Sequence, residues 1–210
     1  MFREVLRKVC VRELRHTVIG EAADGREAVR LVHECAPDLV LLDLHLPGLN
    51  GFGVIAELQA AGLAQQFLVL SSHCDDYTVY RAEKLHVHGF VDKNTNTVAA
   101  LKKAVAAVAA GGRYFSEEFL RLKAVRHGDP QSFDKVLTDR ECEFLAMFGG
   151  SFHDREIAAR FGVIEVTVEK HRFNILRKLG LRGRAELVRY AQDRGFTIDA
   201  PRQDNRALLP

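Results

Sequence analysis

The run DREIAARFGVIEVTVEKHRFNILRKLGL, residues 154–181, reads as a short helix, a tight turn and a longer basic helix. Ile157, Ala158 and Phe161 make one apolar stripe that stops at Gly162, whose backbone freedom suits a helix end. In the second helix Val168, Ile175, Leu176 and Leu179 recur at helical spacing and are expected to face a core. Steps of about 100° per residue put Val166, Lys170, Phe173, Asn174 and Arg177 on the opposite face, with Glu169 beside them. Two helices joined by a tight turn, the second showing cations and an amide outward, have the shape that enters a DNA major groove. An amphipathic helix pair with a solvated face has the same periodicity, so the flanking sequence decides.

On one side stands LTDRE (137–141), where Thr138 and Glu141 make the S/T-x-x-E capping box that opens a helix. On the other stands RGRAELVRYA (182–191). Together with E-I-A, T-V-E-K-H and N-I-L-R-K-L-G in register, these segments resemble the LuxR/FixJ-type helix-turn-helix of bacterial transcription regulators. The resemblance covers roughly the last third of the chain. It implies a four-helix unit whose third helix contacts bases and phosphates of double-stranded DNA through Thr167, Glu169, Lys170 and Phe173. Arg177 and Arg184 are placed to reach phosphates, residues 174–179 would lie in the groove, and Leu187, Val188 and Ala191 would contact a dimer partner on a second half-site.

Three positions depart from the family. Ile164 stands at the N-cap of the third helix and His153 at that of the second, where Ser or Thr is usual; each lost cap costs about 1 kcal/mol. Phe173 occupies a position where a small or basic residue is commoner, able to pack on a thymine methyl or to cover a neighbour. Glu169 can accept from cytosine N4 but repels phosphate, which favours sequence readout over raw affinity.

The charge distribution agrees. The chain of 210 residues carries a formal net charge of only +2. Residues 1–136 hold 17 Lys/Arg against 17 Asp/Glu, whereas residues 165–194 hold 8 against 4, a local +4 at the DNA-facing end. No apolar run approaches the roughly 18 residues of a membrane span and no signal-peptide pattern opens the chain, which points to the cytoplasm. Cys10, Cys35, Cys74 and Cys142 form no C-x-x-C pair. Buried free thiols are expected, and neither His73–Cys74 nor His86 with His88 has metal-ligand spacing.

The first half alternates strand and helix. Residues 17–21, 39–43, 67–71 and 90–92 read as strands, with helices near 26–35, 52–61, 76–85 and 97–110. Val98, Leu101, Val105 and Val108 mark the buried stripe of the last helix. The run Leu39-Val40-Leu41-Leu42 suits a parallel sheet covered on both faces. The βαβαβα order argues a doubly wound α/β domain with functional groups at the carboxyl ends of its strands, where Asp43, Ser71 and Lys93 stand. Gly111-Gly112 closes the last helix. The polar stretch 113–136, broken by Gly128-Asp129-Pro130, is expected to be a linker.

DLVLLDLHLPGLNGF (38–52) is very similar to the phosphoacceptor segment of the response-regulator receiver domain. The resemblance makes Asp43 the phosphoacceptor, with Ser71, Phe90 and Lys93 as hydroxyl, aromatic and lysine of a phosphoswitch. A carboxylate nucleophile would attack phosphorus, a cation and a hydroxyl would hold the product oxygens, and the hydroxyl's movement would draw the aromatic. Singly, an Asp at a strand end caps turns, a Lys after a strand is solvated and a Phe in a strand is core. In register over about 80 residues they make one pattern.

Receivers open with a hydrophobic strand ending in an acidic pair that binds Mg2+ with the phosphoacceptor. Here Met1-Phe2-Arg3-Glu4 already matches the start of the first helix, so strand and pair are expected to be missing. Asp24, Asp75 and Asp76 do not hold the pair's positions, which leaves Asp43 as the only carboxylate of an incomplete Mg2+ site. Strands 17–21 and 39–43 would then pair directly, or a dimer partner would fill the gap, or the domain would be partly disordered, or the native start would lie upstream of Met1.

The sequence therefore predicts a flavodoxin-like receiver domain lacking its first strand (1–112), a linker (113–136), a helix-turn-helix domain (137–198) and a tail (199–210). The expected function is DNA-binding transcription regulation as a homodimer. A sensor histidine kinase acts on Asp43 if phosphorylation survives. If it does not, control runs through dimerisation, abundance or another ligand. The rival reading is a phosphorylation-independent interaction module with a degenerate helix-turn-helix. An α/β enzyme is the weaker second alternative, because G-x-S-x-G, P-loop and G-x-G-x-x-G are all absent.

Overall fold

Four parallel strands run side by side in sequence order: β1 (Leu39–Asp43), β2 (Gln66–Ser71), β3 (Gly89–Asp92) and β4 (Tyr114–Phe115). They belong to a computed structural model that describes residues 2–94 and 97–196. Side chains alternate across the sheet, as period two requires. Phe67 and Val69 face α2 (Gly25–Cys35), α3 (Gly51–Ala60) and α4 (Asp76–Lys84), where Val29, Ile55, Leu58 and Val79 are buried. Leu68 and Leu70 face the other layer, built from α1 (Phe2–Lys8), a π-helical turn (Val9–Glu13) and α5 (Val98–Ala109), with Val9, Ala104 and Val105 at the contact. Both layers bury apolar residues, so β2 can run Phe67-Leu68-Val69-Leu70 and β3 Phe90-Val91 without a polar face.

Strands and helices lie within about a residue of the sequence reading, with four differences. Residues 17–21 are irregular rather than a strand. Among the described residues β1 is an edge strand bonded only to β2; this segment does not join its open edge, and Ile19 is 51% exposed. It is held from α1 instead, by Arg3 donating to the Ala22 carbonyl at 2.7 Å and by Arg7 pairing with Glu21 at 3.3 Å. Val98 lies outside the buried stripe of α5, at its exposed first position after the Thr97 cap. Cys35 is exposed, unlike the buried Cys10 and Cys142.

The fourth difference is the expected linker. Tyr114–Phe115 adds β4 to the sheet, and α6 (Glu117–Gly128) follows directly. Phe119 is buried and stacks on Phe115 at 4.7 Å, with Phe90 at 5.0 Å, so the start of this stretch belongs to the sheet domain. The polar residues masked two aromatic anchors spaced to reach one pocket. The chain divides within α6, the first unit ending at Lys123 and the second beginning at Ala124. The tail 199–210 and the end of the domain expected at 198 lie outside the described residues.

The second unit contains α7 (Phe133–Val136), α8 (Asp139–Gly149), α9 (Asp154–Phe161), α10 (Glu165–Leu179) and α11 (Arg184–Asp193). Its core is Phe144, Leu145, Phe148, Ile157, Val168, Ile175, Leu187 and Ala191, each at most 1% exposed. Leu187 and Ala191 are therefore core residues rather than dimer contacts. The face of α11 that carries them is used up by α8, and only Val188 of the expected trio keeps partial exposure.

Candidate functional site

Helix α10 is aimed by its buried side. Val168 and Ile175, two turns apart, are fully buried and fix the rotation of the helix, while Leu176 and Leu179 are half-buried. Gly162 ends α9 in the left-handed conformation (φ 65°) that a side-chain-bearing residue adopts at a cost, and α10 starts three residues later. Rotation and entry together turn Glu169, Lys170, Phe173 and Arg177 to solvent, with Thr167 half-buried at their edge. Among the described residues no ion pair engages Lys170 or Arg177. Arg184 is committed differently: it donates to the Phe152 carbonyl at 3.0 Å and approaches Asp154 at 3.5 Å. Arg172 also pairs with Asp154, which thereby ties α9, α10 and α11 together.

The two unusual caps differ in outcome. At His153 the backbone N–H is satisfied by Glu156 reaching back at 2.7 Å, so half of a capping box survives without a Ser or Thr. At Ile164 no side chain caps α10 and the isoleucine is 69% exposed. Ile164→Ser is expected to stabilise this unit by about 1 kcal/mol, read as a raised denaturant midpoint at unchanged slope.

Glu141 is a residue whose full role sequence reading missed. Its Oε2 accepts from the Thr138 N–H at 2.8 Å, completing the anticipated capping box, and also from Lys178 Nζ at 2.7 Å. The carboxylate is almost completely buried, and burial alone would raise its pKa. Lys178 and Thr138 outweigh that and hold it below the ordinary carboxylate range. The end of α10 is thus locked to the start of α8 across 37 residues of sequence, a separation at which no local pattern reveals a pair.

In the sheet unit, Asp43, Ser71 and Lys93 converge at the strand ends. Lys93 Nζ donates to Asp43 Oδ2 at 2.5 Å, and the His45 N–H donates to Asp43 Oδ1 at 3.0 Å. Ser71 is buried, and its Oγ accepts from the His73 N–H at 3.0 Å. Phe90 is fully buried beside Phe119. Gly51 lets α3 begin against the end of β1, because a Cβ there would lie 2.5 Å from the Asp43 carbonyl. Asn50 caps that helix at 2.9 Å. The rings of His45 and His73 lie 4.7 Å apart beside the carboxylate. This neighbourhood was not anticipated, since neither histidine has a spacing signal.

Residues 1–106 match the response regulator receiver domain family and residues 135–191 the luxR family of bacterial regulatory proteins. DegU, a transcriptional regulatory protein of Brevibacillus brevis, is 30% identical over 209 positions, covering 90% of this chain and 87% of DegU. VraR, a response regulator of Staphylococcus aureus, is 32% identical over 174 positions, covering 83% of each. This chain belongs to the NarL/LuxR family of response regulators. Members of that family are DNA-binding transcription regulators, and so is this protein. Among solved structures, RcsB of Salmonella enterica serovar Typhimurium, bound to promoter P1flhDC with the phosphomimetic BeF3-, shares the fold. Its TM-score is 0.61 at 20% identity, over 91% of this chain and 93% of that one. A LuxR-family response regulator from Aurantimonas is 31% identical with a TM-score of 0.56, over 60% of this chain and 90% of that one.

Response regulators of this kind imply Mg2+ beside the phosphoacceptor. The donor set here does not fit it. Mg2+ takes octahedral oxygen ligation with one or two carboxylates, yet Asp43 Oδ2 is engaged by Lys93. Asp24 spends its carboxylate on the Glu27 N–H as the cap of α2. Among the described residues no three acidic, histidine or cysteine side chains gather as metal ligands. Nor, among them, is any helix long and apolar enough to cross a membrane.

Proposed function

We propose that this regulator acts in the cytoplasm as a homodimer on double-stranded DNA, gripping it through the outward stripe of α10, with an affinity independent of phosphorylation at Asp43. Lys170 and Arg177 bind phosphates, Thr167, Glu169 and Phe173 meet the groove, and Arg184 braces α9 while its exposed side reaches the backbone. The observation carrying the phosphorylation-independent reading is that, among the described residues, no three acidic, histidine or cysteine side chains gather as metal ligands. Without that metal, phosphoryl transfer loses the charge neutralisation that supplies most of its catalysis.

The convergence of Asp43, Ser71 and Lys93 favours a second reading, in which a sensor histidine kinase still phosphorylates Asp43. Fluorescence anisotropy on a selected duplex, with and without Mg2+ plus beryllofluoride, separates the two. The expected change in affinity is less than about twofold, too small for the 5–150-fold of ordinary allosteric coupling. A tenfold gain that disappears in Asp43→Asn would establish the kinase-dependent reading instead.

A further inference from the structure

The three most exposed large hydrophobic side chains among the described residues are Ile164 (69%), Val166 (67%) and Phe173 (65%). All belong to α10 or its N-cap. None can turn inward, because Val168 and Ile175 already fix the buried side of the helix. Val166 and Phe173 lie seven residues apart, two helical turns, on the stripe that also carries Lys170 and Arg177. An apolar pair interleaved with two unpaired cations fits a surface that offers phosphates at its edges and apolar groups between them. The major groove of DNA offers that combination, and its apolar group is the thymine C5-methyl. The match of residues 135–191 to a family of bacterial regulatory proteins, with Lys170 and Arg177 outward on the same stripe, favours the groove over a protein partner.

We infer that Phe173 and Val166 are specificity-determining residues that read thymine methyls at two positions of each half-site. This rests on the proposed grip of α10 on DNA and extends it to the class of base recognised. Seven residues of helix rise about 10 Å, and a recognition helix spans about three successive bases over that length, so the two thymines lie about two base-pair steps apart. Glu169, projecting between them, accepts from a cytosine amine rather than from a methyl.

The full chain is used to enrich duplexes from a random-sequence pool, and the selected half-site is resynthesised with uracil replacing each thymine in turn. Uracil keeps every hydrogen bond and removes only the methyl. At two positions it is expected to weaken binding about fourfold, the effect of about one buried methylene-sized group. Phe173→Ala should bind the thymine duplex about as weakly as wild type binds the uracil one, and lose the discrimination at one position. Phe173→Leu should retain it, and Val166→Ala should lose it at the other position. Wild-type binding indifferent to uracil at every position, or unchanged methyl discrimination in Phe173→Ala, overturns the inference while leaving DNA binding intact. Failure to enrich any duplex overturns both, and capture of a protein through this patch by a chain that binds no duplex assigns α10 to protein contact.

Discussion

Replacing Glu141 with alanine lowers the stability of the helical unit by about 3 kcal/mol, combining a charge-assisted bond of about 1.5–3 kcal/mol with a helix cap of about 1 kcal/mol. The side chain is 7% exposed, and its Oε2 joins Thr138 at the start of α8 to Lys178 near the end of α10. Lys178 is 32% exposed and can turn to water, which keeps the loss below the roughly 3–5 kcal/mol of a fully buried broken pair. The effect depends on pH in a fixed direction. A carboxyl held below its unfolded pKa of about 4.3 contributes stability above that value. The contribution disappears as pH falls through the lower folded value. Denaturant unfolding at neutral pH should therefore show the full gap between wild type and Glu141→Ala, and acidification through the carboxylate range should narrow it. A gap independent of pH would assign the loss to packing.

The double variant Lys170→Ala, Arg177→Ala should bind DNA on the order of 100-fold more weakly at low salt, if each charge-assisted phosphate bond contributes about 1.5 kcal/mol. Its second signature is more diagnostic. Each phosphate released removes about 0.9 from the slope of log affinity against log salt, so the slope should become shallower by about 1.8. The loss should be nearly uniform across duplex sequences, because phosphates carry no base information. Neither side chain is held by an ion pair among the described residues, so the fold should survive the substitutions. Unchanged affinity and salt slope would remove α10 from the DNA interface and favour the interaction-module reading. A loss confined to one base sequence would instead make these residues base readers.

The two domains were legible because their signals are local. The continuous apolar run Leu39–Leu42, the capping box at Thr138–Glu141 and the helix stop at Gly162 each lie within a few residues of sequence. Asp43, Ser71 and Lys93 were legible as strand-end residues, and strand ends of a parallel sheet converge by topology alone. The failures share one cause. A strand at residues 17–21 needs a partner strand, and among the described residues none of the four strands pairs with it. Leu187 and Ala191 have the right chemistry for a dimer face, but α8 already covers them. Phe119 looked like part of a linker because the pocket it fills is built by Phe90 and Phe115 of the sheet.

The sequence by itself determined most of the elements and their order, the positive C-terminal helix and the residue types at the strand ends, since propensity, periodicity and charge act over a few residues. Tertiary structure alone decided which groups are spent on the protein and which are left for a partner. It bound Arg172 and Arg184 to Asp154, Lys178 to Glu141 and Lys93 to Asp43, and left Lys170, Phe173 and Arg177 facing outward. Ion pairing and burial depend on distance in space, and the partners here lie 18 to 50 residues apart along the chain.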